Sequence, residues 1–236
     1  MKESPRKGLG IFAKEDIPRG TRIIAERALL KMDRQNMSDA KDIVVAFENL
    51  SFPAQRMYLQ LHAYACDRFK SAAEHELGHD WERIPELHRR VLAIYAANAF
   101  DSVFLLGSRI NHSCTPNVHF AYNPALEEET FHAVRDIRAG DELTITYING
   151  TNRTRGQRQD QLDKWGFKCT CSTCEDTLHG RKKEEKRAEL FNLDQELAVY
   201  LKYGTEKSWG KALRTAQRIA ALQKSEGLVT RELGIS

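Results

Sequence analysis

No apolar run in this chain approaches the ~20 residues needed to cross a bilayer. The polar start Met1-Lys2-Glu3-Ser4-Pro5-Arg6-Lys7 is unlike a secretory signal. The expectation is an intracellular protein, in the nucleus and/or cytoplasm, with no membrane partner. An excess of one charge is also missing: 36 Lys and Arg against 33 Asp and Glu leave only +3. Arg153, Arg155 and Arg158, and the run Arg181-Lys182-Lys183, are locally basic, but Glu184 and Glu185 follow at once. Both read as a solvated helix start, so direct nucleic-acid binding is not expected. Cysteine is sparse, and four of the five can be placed in one metal site. That usage fits a reducing compartment better than a disulfide framework. Apart from one C-terminal helical hairpin of the superhelical-repeat type, too little to establish an array, there is no internal repeat and no low-complexity tract.

What is present is a chain of 236 residues, enough for one domain with a real core plus an appendage. The first thirty residues read as β structure: a strand from Leu9 to Ala13, a turn at Pro18-Arg19-Gly20, and loose alternation from Thr21 to Leu30. Helical character follows. Ser38 or Asp39 can cap a helix bearing Ile43, Val44, Ala46, Phe47 and Leu50. Pro53 opens another with Met57, Leu61 and Tyr64, and Pro85 to Ala97 reads as a third. Strands return at Val118 to Tyr122, Thr130 to Val134 and Glu142 to Tyr147. Two amphipathic helices end the chain, one marked by Leu190, Leu193, Leu197 and Tyr200. The other is marked by Trp209, Ala212, Leu213, Ala216, Ile219 and Ala220. The fold class is therefore α+β, with its β parts interrupted by a helical insertion too long to be a plain loop.

Cys169, Cys171 and Cys174 stand at C-x-C-x-x-C spacing. Zinc takes four soft ligands in a tetrahedron, so the cluster is one ligand short of a closed structural site. Cys114, Cys66 and His179 are the candidates for the fourth. Two further motifs are weak alone. Lys7-Gly8-Leu9-Gly10 places two glycines where a ligand can lie on bare backbone, yet a glycine turn before a strand is common. Gly140-Asp141-Glu142-Leu143-Thr144-Ile145-Thr146-Tyr147 is a turn, a strand and a tyrosine that, by itself, reads as a core aromatic.

In order along the chain, Gly8-Leu9-Gly10, Asn98-Ala99-Phe100, Arg109-Ile110-Asn111-His112-Ser113-Cys114-Thr115-Pro116-Asn117, the Gly140–Tyr147 segment and the three cysteines resemble the SET-domain methyltransferases. The branch they resemble is the SET-and-MYND family and its fungal relatives. The resemblance implies a SET fold of small sheets with a knot-like core, in two parts at residues 1–31 and 98–150. A helical insertion at 32–97, a post-SET zinc segment at 151–178 and a C-terminal helical hairpin at 179–236 complete it. One departure is plain: residues 32–97 contain a single cysteine, Cys66, so no MYND zinc finger can be built there.

The resemblance also implies the chemistry, which is methyl transfer from S-adenosylmethionine to a lysine amine of a protein, histone or non-histone, entering through a narrow channel. Tyr147 becomes the catalytic tyrosine. Lys7, Gly8, Leu9, Gly10, Asn98, Asn111, His112, Tyr147, Trp165 and Phe167 become donor-binding residues, with Phe167 stacked on the adenine. Cys114 joins Cys169, Cys171 and Cys174 around one structural zinc, and Pro116 and Asn117 shape the turn. A SET-fold binding protein with lost or repurposed catalysis is the alternative. His75-Glu76-Leu77-Gly78-His79 matches the H-E-x-x-H zinc-peptidase motif, but its flanks are polar. Glu82 and Pro85 stand where the extended motif needs glycine and histidine, so it reads as a coincidence in an insertion loop.

Overall fold

Short β segments flank a helical middle in the computed structural model, which describes residues 1–32, 39–64, 67–78 and 80–228. β1 (Lys2–Ser4) and β2 (Gly8–Gly10) form an antiparallel hairpin, and β3 (Arg22–Glu26) follows. The helical middle consists of α1 (Ala40–Glu48), α2 (Phe52–Tyr58), α3 (Asp67–Leu77) and α4 (Glu86–Asn98). Next come β4 (Ala99–Phe100), β5 (Ser102–Val103), β6 (Asn111–His112), β7 (Val118–Asn123), β8 (Glu128–Ala133) and β9 (Thr144–Ile145). α5 (Arg155–Leu162), α6 (Leu178–Tyr203) and α7 (Glu206–Ser225) complete the chain. The class is α+β, and among the described residues no helix is long and apolar enough to cross a membrane.

The chain divides into two units, the first made of residues 1–111 and 118–143, the second of residues 112–117 and 144–236. In the first, β3, β8 and β7 form an antiparallel sheet with β8 central, and Phe120 of β7 lies opposite Phe131. The Phe100 ring meets Phe120 edge-on at 4.8 Å, which anchors the end of α4 to this sheet. Joined by Leu61 from the turn after α2, the helices bury Ile43, Val44, Phe47, Tyr58, Val91, Leu92 and Ile94 in one apolar cluster. Their spacing at three and four residues puts them on the facing sides of their helices.

Residues 67–77 depart from expectation. Despite a polar sequence they form a helix, because Phe69 and Ala73, one turn apart, reach the apolar cluster. Glu76 of this helix accepts a hydrogen bond from the Lys41 backbone N–H at the start of α1 (2.9 Å), where Asp39 provides no side-chain cap. Ser38, the other expected cap, and His79 lie outside the described residues. Met57, Tyr64 and Leu87, expected on buried faces, are substantially exposed.

In the second unit, α5 starts with a capping box between Thr154 and Gln157, and Gly166 (φ 71°) ends the turn carrying Trp165. α6 and α7 pack through Leu190, Ile219 and Leu222, with Leu193 and Leu197 beside them. The face of α7 differs from the expected one. Trp209 and Leu213 are exposed, and of the residues expected there only Ile219 is buried, alongside Thr215, Leu222 and Gln223. The buried stripe is centred near the end of α7, where polar Thr215 and Gln223 complete it in place of the aromatic.

Candidate functional site

Four sulfur atoms in the second unit define the clearest chemistry. Cys114 lies just after β6, where the Ser113 N–H bonds to the Ile145 carbonyl at 2.9 Å. The other three belong to a tight loop in which the Cys174 and Glu175 N–H groups both reach the Cys171 carbonyl. Gln159 of α5 holds the start of that loop. Its carboxamide oxygen accepts from the Cys169 N–H (3.1 Å), and its nitrogen donates to the Phe167 carbonyl (2.8 Å). Thr115 and the fully buried Thr173 share a hydroxyl hydrogen bond of 3.3 Å.

The Sγ atoms of Cys114, Cys169, Cys171 and Cys174 all lie within 4.8 Å of one another, with Cys114 at 3.6 Å from Cys174 and 3.9 Å from Cys169. A zinc–sulfur bond of about 2.3 Å in a tetrahedron gives sulfur–sulfur edges of about 3.8 Å, so the donor set fits zinc. A disulfide requires about 2.05 Å, and all four thiols are free. Hydrogen bonding to the other three thiols, with burial, pushes the Cys114 thiol up, while Cys171, which receives those hydrogen bonds, is held down. Four thiols this close cannot all ionise without a cation among them. His179 stands outside the group, which among the described residues is the one set that can hold a metal. Cys66, the other rival ligand, lies outside the described residues.

Directly beside the cluster is His112, almost fully buried. Its Nδ1 accepts the Tyr147 backbone N–H at 3.1 Å, and its Nε2 faces Cys114 Sγ at 3.4 Å. Accepting at Nδ1 places the ring proton on Nε2, directed at the sulfur. The Tyr147 ring lies 5.4 Å from His112, 5.4 Å from Trp165 and 6.4 Å, edge-on, from Phe167. Tyr147, Trp165 and Phe167 are each partly exposed, so the trio presents π surface to solvent. The Lys164 ammonium sits 4.2 Å over the Trp165 ring, so that face already accepts a cation.

In the first unit the glycine turn is part of a polar network. Glu142 accepts from Asn111 Nδ2 (2.8 Å) and Lys7 Nζ (3.0 Å), and Asn111 also donates to the Leu9 carbonyl (3.2 Å). A Cβ at Gly10 would stand 2.6 Å from Glu142 Oε1 and 2.9 Å from Asn111 Nδ2, so a larger residue there displaces both side chains from their hydrogen bond. Gly8 has φ +73° and open space around it, and Leu9 is exposed. The buried Asn98 side chain donates to the carbonyls of His62 and Ile94, each at 2.7 Å.

The SET-domain pattern matches residues 8–148, more than half of the chain. The chain belongs to the SET-domain family. It is 37% identical over 177 residues to the histone-lysine N-methyltransferase set5 of Schizosaccharomyces pombe, covering 72% of this chain and 48% of the fission-yeast protein. It is 40% identical over 99 residues to the histone-lysine N-methyltransferase SET5 of Meyerozyma guilliermondii, 39% of this chain and 20% of that one. A putative SET domain-containing protein of Acanthamoeba polyphaga mimivirus is 26% identical over 227 residues, 82% of this chain and 85% of the viral protein. This SET-domain chain is thus related to the fungal SET5-type proteins, and spans about half the length of the fission-yeast one.

The structure adds four residues to those named from sequence. Glu142 and Gln159 organise the glycine turn and the cysteine loop. Arg158, expected in solvent, is completely buried, as is Arg187. Only Glu142 lies in a motif a reader of the sequence would single out; the other three look like ordinary helix-surface residues.

Proposed function

We propose that this SET-domain chain is an S-adenosylmethionine-dependent protein-lysine N-methyltransferase of the SET-and-MYND branch, lacking the MYND finger. The observation that carries the reading is the Tyr147 backbone hydrogen bond to His112, with the tyrosine ring against Trp165. When bound, S-adenosylmethionine supplies an electrophilic methyl group on a sulfonium. The chain's own residues act on the reactants in three ways. Tyr147 orients the acceptor amine with its hydroxyl and need not ionise. Trp165 and Phe167 offer aromatic faces, which attract a cation. Lys7, Gly8, Leu9, Gly10, Asn98, Asn111 and His112 are the remaining donor contacts, proposed on the motif resemblance.

The attacking lysine must be neutral, and loss of water on entering an apolar channel lowers an ammonium pKa. With the amine neutral and positioned in line, orientation supplies much of the rate. Cys114, Cys169, Cys171 and Cys174 are proposed to hold one structural zinc with no open coordination position. The substrate is proposed to be a lysine of a protein, histone or non-histone, and the setting the reducing nucleus or cytoplasm. Transfer of labelled methyl groups from S-adenosylmethionine to histone and non-histone protein pools, with methyllysine identified after hydrolysis, tests this. Methyllysine formed by the wild type and greatly reduced in Tyr147→Phe is the expected result. Donor binding with no transfer to any pool would contradict it and favour a SET-fold binding protein.

A further inference from the structure

Arg158 of α5 and Arg187 of α6 are the largest fully buried side chains among the described residues. Arg158 Nη2 lies 3.4 Å from Cys174 Sγ and 3.0 Å from Glu184 Oε2, and its Nη1 donates to the Arg153 carbonyl. Arg187 spends its hydrogen bonds on neutral acceptors: Nη2 on the Cys114 carbonyl (2.9 Å), Nη1 on the carbonyls of Gly150 (3.1 Å) and Thr151 (2.8 Å). The Nε of each arginine is buried without a partner. Burial and the neighbouring Arg158 both lower the Arg187 pKa, and Cys114, Glu226 and Cys171 oppose them.

A guanidinium does not shed its proton in a protein, so two of them out of water need anions nearby. Glu184 answers one. Glu226 is engaged by Lys186 at 2.6 Å. Positive charge is left over, facing the cysteines. Four neutral thiols carry no charge and neither does a disulfide, whereas four thiolates around one divalent zinc carry two negative charges. The last state supplies the most negative charge to set against the arginines.

We infer that Arg158 and Arg187 are the counter-charge of a zinc–tetrathiolate centre, and that Arg187 makes α6 part of that metal site. The inference rests on the zinc reading above and assigns the arginines a positioning role, outside the transfer chemistry. The C-terminal hairpin thereby gains a structural role, since metal, arginine and helix hold one another. Asn152 reinforces the link, donating to Asp194 of α6 (3.1 Å) and accepting from Gln223 of α7 (2.9 Å).

The test measures metal release to a chromogenic chelator, and the absorption of the cobalt-substituted protein, for wild type, Arg187→Lys, Arg187→Gln, Arg158→Lys and Arg158→Gln. Exposed Arg218→Gln is the control. Partners of metal ligands are typically worth about 10–100-fold in metal affinity. The glutamine variants are expected to lose zinc that much more readily, the lysine variants to be intermediate, and the control to match wild type. Lysine and glutamine variants that release zinc equally, or glutamine variants that match wild type, overturn the inference while leaving the zinc site standing. A wild type that binds no zinc overturns both. Should the glutamine variants fail to fold, amide hydrogen exchange of wild-type residues 178–203 decides. Removing zinc is expected to speed it at least about tenfold, and unchanged exchange overturns the inference.

Discussion

His112 accepts the Tyr147 backbone N–H through Nδ1 at 3.1 Å and turns Nε2 toward Cys114 Sγ at 3.4 Å. One imidazole therefore joins the thiol cluster to the tyrosine. A ring that donates to a cluster sulfur and accepts from the backbone is fixed at both ends, so it transmits the position of the cluster to Tyr147. His112→Phe keeps the ring and removes both nitrogens. It is expected to weaken zinc retention by about tenfold and to slow methyl transfer, as chelator competition and single-turnover assays would show. A variant with wild-type zinc retention and turnover would deny the link.

Tyr147→Phe leaves the ring contacts to His112, Trp165 and Phe167 in place and removes only the hydroxyl. Its melting temperature and its affinity for S-adenosylmethionine are expected to stay near wild type. Turnover is expected to fall by about 100-fold, the order of cost of losing one hydrogen-bonding group that positions the reacting atoms. Unfolding of the variant would make Tyr147 a packing residue instead.

Glu142 ties the glycine turn to Asn111. Burial pushes its carboxyl up, but the hydrogen bonds from Asn111, Lys7 and Ser4 outweigh burial and hold it below the usual carboxylate range. A depressed folded-state pKa contributes stability that is present above the unfolded value, about 4.3, and lost as pH falls through the folded value. Wild type is therefore expected to lose more stability than Glu142→Gln between about pH 5 and pH 3, measured by urea denaturation. Gly10→Ala is expected to destabilise at every pH, since its methyl group meets the Glu142 carboxylate and the Asn111 amide. Parallel acid titrations of wild type and Glu142→Gln would sever Glu142 from this role.

Much of this arrangement can be read from residue order. The helix bearing Ile43 and Val44 and the helix from Pro85 follow from spacing, and the strand pair around Phe120 and Phe131 from alternation. Cys114 is one of three candidates for the fourth ligand on chemistry alone, and the family pattern singles it out. The misses have separate causes. α3 is polar because only its short stretch with Phe69, Ala72 and Ala73 touches the cluster, so its periodic signal is faint. Trp209 and Leu213 carry a strong helical pattern but remain exposed, so an apolar stripe alone does not reveal whether anything packs on it. Arg158 and Arg187 escape because an arginine's burial depends on the charge it meets, and charge neighbours are set by the fold.

We propose that a thiol-bound zinc holds the segment around Tyr147 and the aromatic pair Trp165 and Phe167 ready for the methyl donor. Calorimetric titration of S-adenosylmethionine into zinc-loaded wild type and into Cys114→Ser, with zinc content determined on the same samples, tests it most directly. One zinc per wild-type chain, its loss in Cys114→Ser, and donor affinity weakened at least tenfold, about 1.4 kcal/mol, are predicted. Full donor affinity in a variant that has lost its zinc would contradict the claim.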